Sequence, residues 1–290
     1  MKTLVFGKNG QMASSFKKVD QASQLSFLGQ KDFQFSDRSS VVTALNKFKP
    51  QVIVNCAAYT LVDLAEKEKD ICQKLNVDFV SYIADWCAEN NCKLIHFSTD
   101  YVFNGMKNGN YVENDMVDPI NWYGNTKARG EKYLQESKAE TVIFRISWVY
   151  SEYGNNFLKT MIRLGHDRES LNIVSDQIGS PCYAVNVAEV IYQWIFIQNL
   201  ATFKKGIYHL VPTAQMSWFD FASKIFTSYR LQSQGLKVKD LGKILTADYK
   251  TAAVRPLNSR MNSNKTLQEL GLRLEPFERS LQRAISGLHS

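Results

Sequence analysis

The chain holds 290 residues, 44 % of them hydrophobic and 22 % charged; these are globular proportions and exclude a disordered or low-complexity polymer. No apolar stretch approaches the roughly 18 residues that span a bilayer, the best (190–197) being broken by Tyr192 and Gln193, and no signal-peptide pattern opens the chain. Residues 1–200 carry 21 basic against 22 acidic side chains (−1) and residues 201–290 carry 14 against 6 (+8), which together give the net +7.

A basic last third points to an anionic partner, with a plain solvated surface as the alternative. Its charges are spread singly, which favours a small phosphorylated ligand over nucleic acid. Five cysteines (Cys56, Cys72, Cys87, Cys92, Cys182), odd in number and without a CxxC pair, predict a reducing, cytoplasmic setting. The histidines His96, His166, His209 and His289 are scattered, so no metal site is expected.

Residues 4–6 read as a strand and 11–19 as a helix with Met12, Phe16 and Val19 on one side. A strand at 25–28 precedes a helix at 39–48 that stops at Pro50. QVIVN at 51–55 lacks polar alternation and reads as a fully buried strand. Ile71, Leu75, Phe79, Ile83 and Trp86 recur three or four apart, which predicts a helix over 70–89. KLIHF at 93–97 and TVIFRI at 141–146 are further buried strands, with a helix at 122–135 between them. This alternation predicts an α/β fold, a Rossmann-type doubly wound parallel sheet with helices on both faces.

Beyond residue 150 the rhythm loosens. Helices are expected at 155–164, 187–197 and 217–228, strands at 171–174 and 207–210, and a loop-rich stretch at 235–264. A last helix follows Pro276 with Phe277, Leu281 and Ile285 on its buried face. Residues 1–150 are expected to form the Rossmann lobe, with the helix at 185–200 packing back on it. Residues 151–184 and 201–290 are expected to form a smaller, loop-rich C-terminal substrate lobe.

Three motifs carry chemistry. Gly7-Lys8-Asn9-Gly10-Gln11-Met12-Ala13 follows the first strand and opens the first helix. Gly7 permits the tight turn, Gly10 lets backbone approach a pyrophosphate at the helix N-terminus, and Ala13 allows close helix–strand packing. Its GxxGxxA spacing resembles the extended short-chain dehydrogenase/reductase superfamily. After the second strand, Gly29 and Gln30 stand where an acid would usually hold the adenosine ribose, with Lys8 and Lys31 nearby. That tilts the cofactor toward NADPH and leaves NADH open.

Tyr123 and Lys127 lie at i, i+4, on one face of the helix at 122–135. Bringing a phenol from about 10 to neutral pH takes about three units, roughly 4 kcal/mol. One ammonium at about 4 Å supplies that much at an effective dielectric of ~20. Ser98-Thr99-Asp100 directly follows strand KLIHF, at the sheet edge where ligands of open α/β sheets bind. A hydroxyl there can bond a substrate carbonyl, although Ser-Thr-Asp alone is as readily a turn or cap.

Longer blocks narrow the resemblance. NCAAYTLVDLAE, STDYVFNG, YGNTKARGE, FRISWVY, GNNFLKTM, SDQIGSP, GIYHL, SWFDFA and RPLNSRM together resemble the dTDP-4-dehydrorhamnose reductase family, collinear from residue 4 to about 262. That resemblance implies NAD(P)H-dependent reduction of the 4-keto group of dTDP-4-dehydro-L-rhamnose to dTDP-L-rhamnose, a precursor of surface polysaccharide. It implies Tyr123 as proton donor, Lys127 as the group that lowers its pKa and binds the nicotinamide ribose, and Thr99 as the hydroxyl that tunes it. Gly7, Gly10, Gln11 and Met12 would meet the cofactor phosphates, Asp37 and Arg38 the adenosine, and Cys56, Ala57, Ala58 and Phe97 the nicotinamide side. Thr99, Asp100, Trp148, Arg255, Asn258 and Ser259 would meet the dTDP-sugar.

Departures from the family also count. Ala13 replaces a usual glycine, and Ser14 and Ser15 stand where some relatives carry the glutamate of a magnesium-linked dimer. No metal is therefore expected, and homodimerisation is left open. The rival readings are another nucleotide-sugar 4-ketoreductase or epimerase, and a non-catalytic regulatory subunit resembling the beta subunit of methionine adenosyltransferase.

Overall fold

The computed structural model describes residues 1–233 and 235–288; His289 lies outside the described residues. The chain runs β1 (Thr3–Phe6), α1 (Gln11–Val19), β2 (Leu25–Leu28), α2 (Arg38–Phe48) and β3 (Val52–Asn55). It continues through α3 (Val62–Ala65), α4 (Lys69–Gln73), a π-helical turn at Lys74–Asp78, α5 (Phe79–Glu89) and β4 (Lys93–Thr99). Next come α6 (Trp122–Glu136), β5 (Thr141–Ile146), β6 (Val149–Tyr150), α7 (Phe157–Asp167), β7 (Ser170–Val174), β8 (Ile178–Gly179) and β9 (Cys182–Tyr183). The last part holds α8 (Ala184–Phe196), β10 (Gly206–His209), β11 (Met216–Ser217), α9 (Trp218–Gln232), β12 (Asp240–Ile244), α10 (Asn264–Leu270) and α11 (Phe277–Ser286).

Six strands form one wholly parallel sheet in the order β2-β1-β3-β4-β5-β10. Every residue of β1, β3 and β5 is buried, which is why these segments are apolar without alternation. The strand order reverses between β1 and β3, so a crevice opens at their carboxyl ends. One core lies between the sheet and α1 and α8, and contains Phe16, Val54, Phe144, Ile191 and Trp194. The other face is covered by α2 and α5, with Leu45, Phe79 and Ile83 buried against Phe6 and Ile53. A separate core beneath the cleft joins α7, α9 and α11 around Tyr150, Phe221, Phe226 and Phe277.

Four sequence expectations are corrected. Residues 206–209, assigned to the substrate lobe, add the sixth strand of the main sheet; Tyr208 and Leu210 are buried in the same core as Val142. Leu270, Leu272 and Leu274 join that core too, so the last third is shared between both lobes. Residues 235–264 are not simply loop, because β12 pairs in parallel with β7 from Asp240 to Ile244. The helix over 70–89 is interrupted by its π-turn. Asn76, at the centre of that turn, is buried and bonds the Tyr59 backbone and the Thr126 hydroxyl, an arrangement that a regular helix surface would not aim there.

Candidate active site

The turn after β1 folds as its glycines allow. Gly7 has φ +88°, and a Cβ there would stand 2.9 Å from the backbone nitrogen of Ala57. Gly10 is the N-cap of α1 and offers no side chain, so the first helical N–H groups are left to an external acceptor. Gly10, Gln11 and Met12 line a cleft of about 420 Å³ together with Cys56, Ala58 and Phe97. A second cleft of about 250 Å³ continues past Gly7, Ala57, Gly29 and Phe33.

The far wall of the first cleft is β4 and the start of α6. Asn121 caps α6 by accepting the Gly124 N–H at 2.8 Å. Gly124 is required by contact, since a Cβ there would lie 2.1 Å from the Tyr101 carbonyl oxygen. This close approach sets Tyr123 beside the end of β4. There Thr99 donates to Asp100 Oδ1 at 3.1 Å and accepts the Tyr101 N–H at 3.2 Å. Tyr123, Thr99, Asp100, Lys127 and Trp148 all line this cleft.

Electrostatics set the roles. Burial pushes the Tyr123 phenol well up; the Thr99 hydroxyl draws it back and the Asp100 charge raises it further. Burial lowers Lys127 to about 8 against the favourable charge of Glu131. Nζ lies 2.6 Å from the Phe97 carbonyl oxygen and 3.2 Å from His96 Nε2, so its hydrogen bonds are made to β4. Asp100 is raised to about 7 by burial, opposed by the Ser259 and Thr99 hydroxyls and the backbone. Its Oδ2 and the Ser98 Oγ have no partner among the described residues.

Trp148 has φ +45°, a strained left-handed backbone for so large a residue. Its ring stacks on Trp218 at 3.5 Å and 4°, and both rings face the cleft. Arg255 clamps Asp63 of α3 at 3.1 and 2.6 Å, so it ties the 251–258 segment to α3. Ser259 donates its N–H to the Ile178 carbonyl at 2.8 Å with its hydroxyl 3.4 Å from the same oxygen, whereas Asn258 is turned to the Lys107 and Gly109 carbonyls and holds that loop.

Five expected residues line neither cleft: Arg255, Asn258 and Ser259, and also Asp37 and Arg38. The Asp37 carboxylate caps α2 by accepting the Ser39 N–H, and Arg38 pairs with Asp85 at 3.0 Å. Neither lines the second cleft, where Lys8, Gly29 and Gln30 are found instead. Three further residues were not singled out in the sequence: Tyr101, His96 and Trp218. Trp218 lay within the SWFDFA block, and its position opening a predicted helix was the available signal. Among the described residues no cluster of His, Cys, Asp and Glu could hold a metal ion, and no helix is long and apolar enough to cross a membrane.

The RmlD substrate binding domain model matches residues 1–290. A dTDP-4-dehydrorhamnose reductase of Aggregatibacter actinomycetemcomitans is 39 % identical, the alignment covering 96 % of each chain. One from Escherichia coli K12 is 37 % identical over 99 % of this chain and 98 % of its own. The crystal structure of the Bacillus anthracis dTDP-4-dehydrorhamnose reductase in complex with NADP superposes with a TM-score of 0.90 at 34 % identity, over 99 % of this chain and 100 % of that one. With the family model spanning its whole length and such relatives matching end to end, the chain belongs to the RmlD substrate binding domain family.

Proposed function

We infer that the chain reduces the 4-keto group of dTDP-4-dehydro-L-rhamnose to dTDP-L-rhamnose with NADPH. The reading is carried by one juxtaposition: the Thr99, Tyr123 and Lys127 side chains share a cleft with the uncapped N-terminus of α1. The names of the relatives and the NADP in the B. anthracis enzyme support it. Five free cysteines support a cytoplasmic setting.

The residues fit the cofactor. The free N–H groups of Gln11 and Met12 suit a pyrophosphate, and Cys56, Ala58 and Phe97 give an apolar seat for the nicotinamide next to Lys127. When bound, NADPH supplies the hydride to carbon 4. Tyr123 supplies the proton. A phenol raised above its usual range remains protonated at neutral pH, so it always has a hydrogen to give the nascent alkoxide. Thr99, on the same wall of the cleft, can turn its hydroxyl to steady the phenolate left behind. The open Oδ2 of Asp100 can accept a sugar hydroxyl, and the Trp148–Trp218 pair offers a flat apolar wall.

The test is NADPH oxidation with enzymatically prepared dTDP-4-dehydro-L-rhamnose, followed by identification of the product. One NADPH consumed per dTDP-L-rhamnose formed is expected. Product without net oxidation would identify an epimerase, and copurification with a synthetase without turnover would identify a regulatory subunit. Either result overturns the inference.

A further inference from the structure

The hydrogens along Asn55, His96 and Lys127 cannot be assigned independently of one another. Asn55, the last residue of β3, accepts the Ala57 N–H on Oδ1 at 3.1 Å, which fixes the orientation of its amide. Its Nδ2 is then the atom 3.1 Å from His96 Nδ1. An amide nitrogen only donates, so Nδ1 must accept. His96 is buried, and burial keeps its ring neutral. A neutral imidazole with a bare Nδ1 carries its single hydrogen on Nε2.

That hydrogen points at Lys127 Nζ, 3.2 Å away. An ammonium has three donors and no lone pair, so it would face Nε2–H as donor against donor. A free amine accepts it, and gives one of its own hydrogens to the Phe97 carbonyl at 2.6 Å. We propose that His96 is a positioning residue which, locked in its Nε2–H form by Asn55, favours the free amine of Lys127 over its ammonium in the cofactor-free cleft. This deepens the reductase reading and rests on it only in making Lys127 part of the cofactor site.

The surroundings agree. Burial brings Lys127 down to about 8. The acids and thiols around it are few: Cys72 from α4, Glu131 one turn on, Tyr123 one turn back and Asp100 across the cleft. Glu131 favours the ammonium, but its carboxylate is bonded to Arg145 and not to Nζ. No carboxylate therefore replaces His96 as the partner of the amine.

Two measurements test the proposal. In the intact chain labelled with 15N-histidine and free of ligand, His96 is expected to carry a bare Nδ1 and a protonated Nε2 at pH 9. A ring protonated on Nδ1, or an imidazolium, overturns the proposal, and this arm needs neither substrate nor activity. The second arm follows NADPH affinity by fluorescence. An anionic cofactor selects the ammonium, and one pH unit above its midpoint only about a tenth of Lys127 is ammonium, so affinity should weaken roughly tenfold from pH 7 to pH 9. In His96→Gln, whose amide can turn an oxygen to Nζ, the affinity at pH 9 should stay within about twofold of that at pH 7. A profile identical to the unmodified chain, or weakened equally at every pH, overturns the proposal. Absence of NADPH binding at any pH would overturn the reductase reading, and the histidine spectra would still decide the state of His96.

Discussion

Helix α6 carries two buried charged groups one turn apart, and their surroundings are opposite. Glu131 meets Arg145 of β5 through three contacts of 2.6–3.2 Å, both side chains being almost wholly buried. The guanidinium also lies 5.0 Å over the Phe103 ring, so the pair is saturated by protein. Toward the N-terminus, Tyr123 and Lys127 face a neighbourhood with unfilled capacity, where Asp100 Oδ2 and Ser98 Oγ are buried without partners. Buried polar groups are nearly always satisfied, so an unsatisfied set beside a cleft marks where a ligand completes the bonding. The saturated turn serves the fold, and the unsaturated turn serves the chemistry.

The largest effect expected from this contrast is kinetic. Tyr123→Phe should lower kcat by about 10²–10⁴, the usual worth of a general acid, while the NADPH dissociation constant stays near that of the unmodified chain. Full turnover in that variant would break the contrast at its reactive end. At the other end the loss should be in stability. Arg145→Met strands the Glu131 carboxylate in the core and should cost about 3–5 kcal/mol in urea denaturation. Adding Glu131→Leu should recover most of that loss, since removing both charges leaves nothing unpaired.

The two turns were not equally legible in the sequence. Tyr123 and Lys127 form a local i, i+4 pattern after an unmistakable buried strand, so their position could be read directly, as could the glycine turn after β1. The direction of Lys127 could not, because it depends on His96 and Phe97, some thirty residues away on another strand. Arg145 is the lone charge in TVIFRI, and only tertiary contact shows Glu131 beside it. Strands β1, β3, β4 and β5 were legible because burial on both faces imposes apolar runs, and the half-buried edge strand β2 was legible from its place in the alternation. The sixth, Gly206–His209, was legible as a strand but not as a member of that sheet, since pairing with β5 crosses some sixty residues. β12 and the π-turn left no periodic trace.

Asp100 offers a finer probe through pH. Its folded-state value of about 7 lies above the ordinary carboxyl range, so the folded chain keeps a proton that the unfolded chain releases earlier. Stability should therefore be highest below about pH 4 with respect to this group, and should fall as pH rises toward 7. Asp100→Asn removes the buried charge and should stabilise the chain by about 2–4 kcal/mol at pH 8, yet by little at pH 4. Thermal melts at the two pH values check this. Equal shifts at both would show that the carboxyl is not strained by its burial, and would weaken the reading of the cleft as an unsatisfied site.

The smallest effect concerns a pair that belongs to both classes. Trp148 and Trp218 stack on each other, so they are satisfied like Arg145, yet they line the cleft like Asp100. The strained backbone of Trp148 argues that its ring is held in place for a ligand and not merely packed. Trp218→Leu removes a stacking contact worth about 0.5–1.5 kcal/mol beyond its buried area. If the pair recognises the sugar nucleotide, KM should rise up to about tenfold while kcat changes less than threefold. A fall in melting temperature with KM unmoved would instead place both rings with the saturated half of the molecule, and would leave Asp100 to hold the sugar.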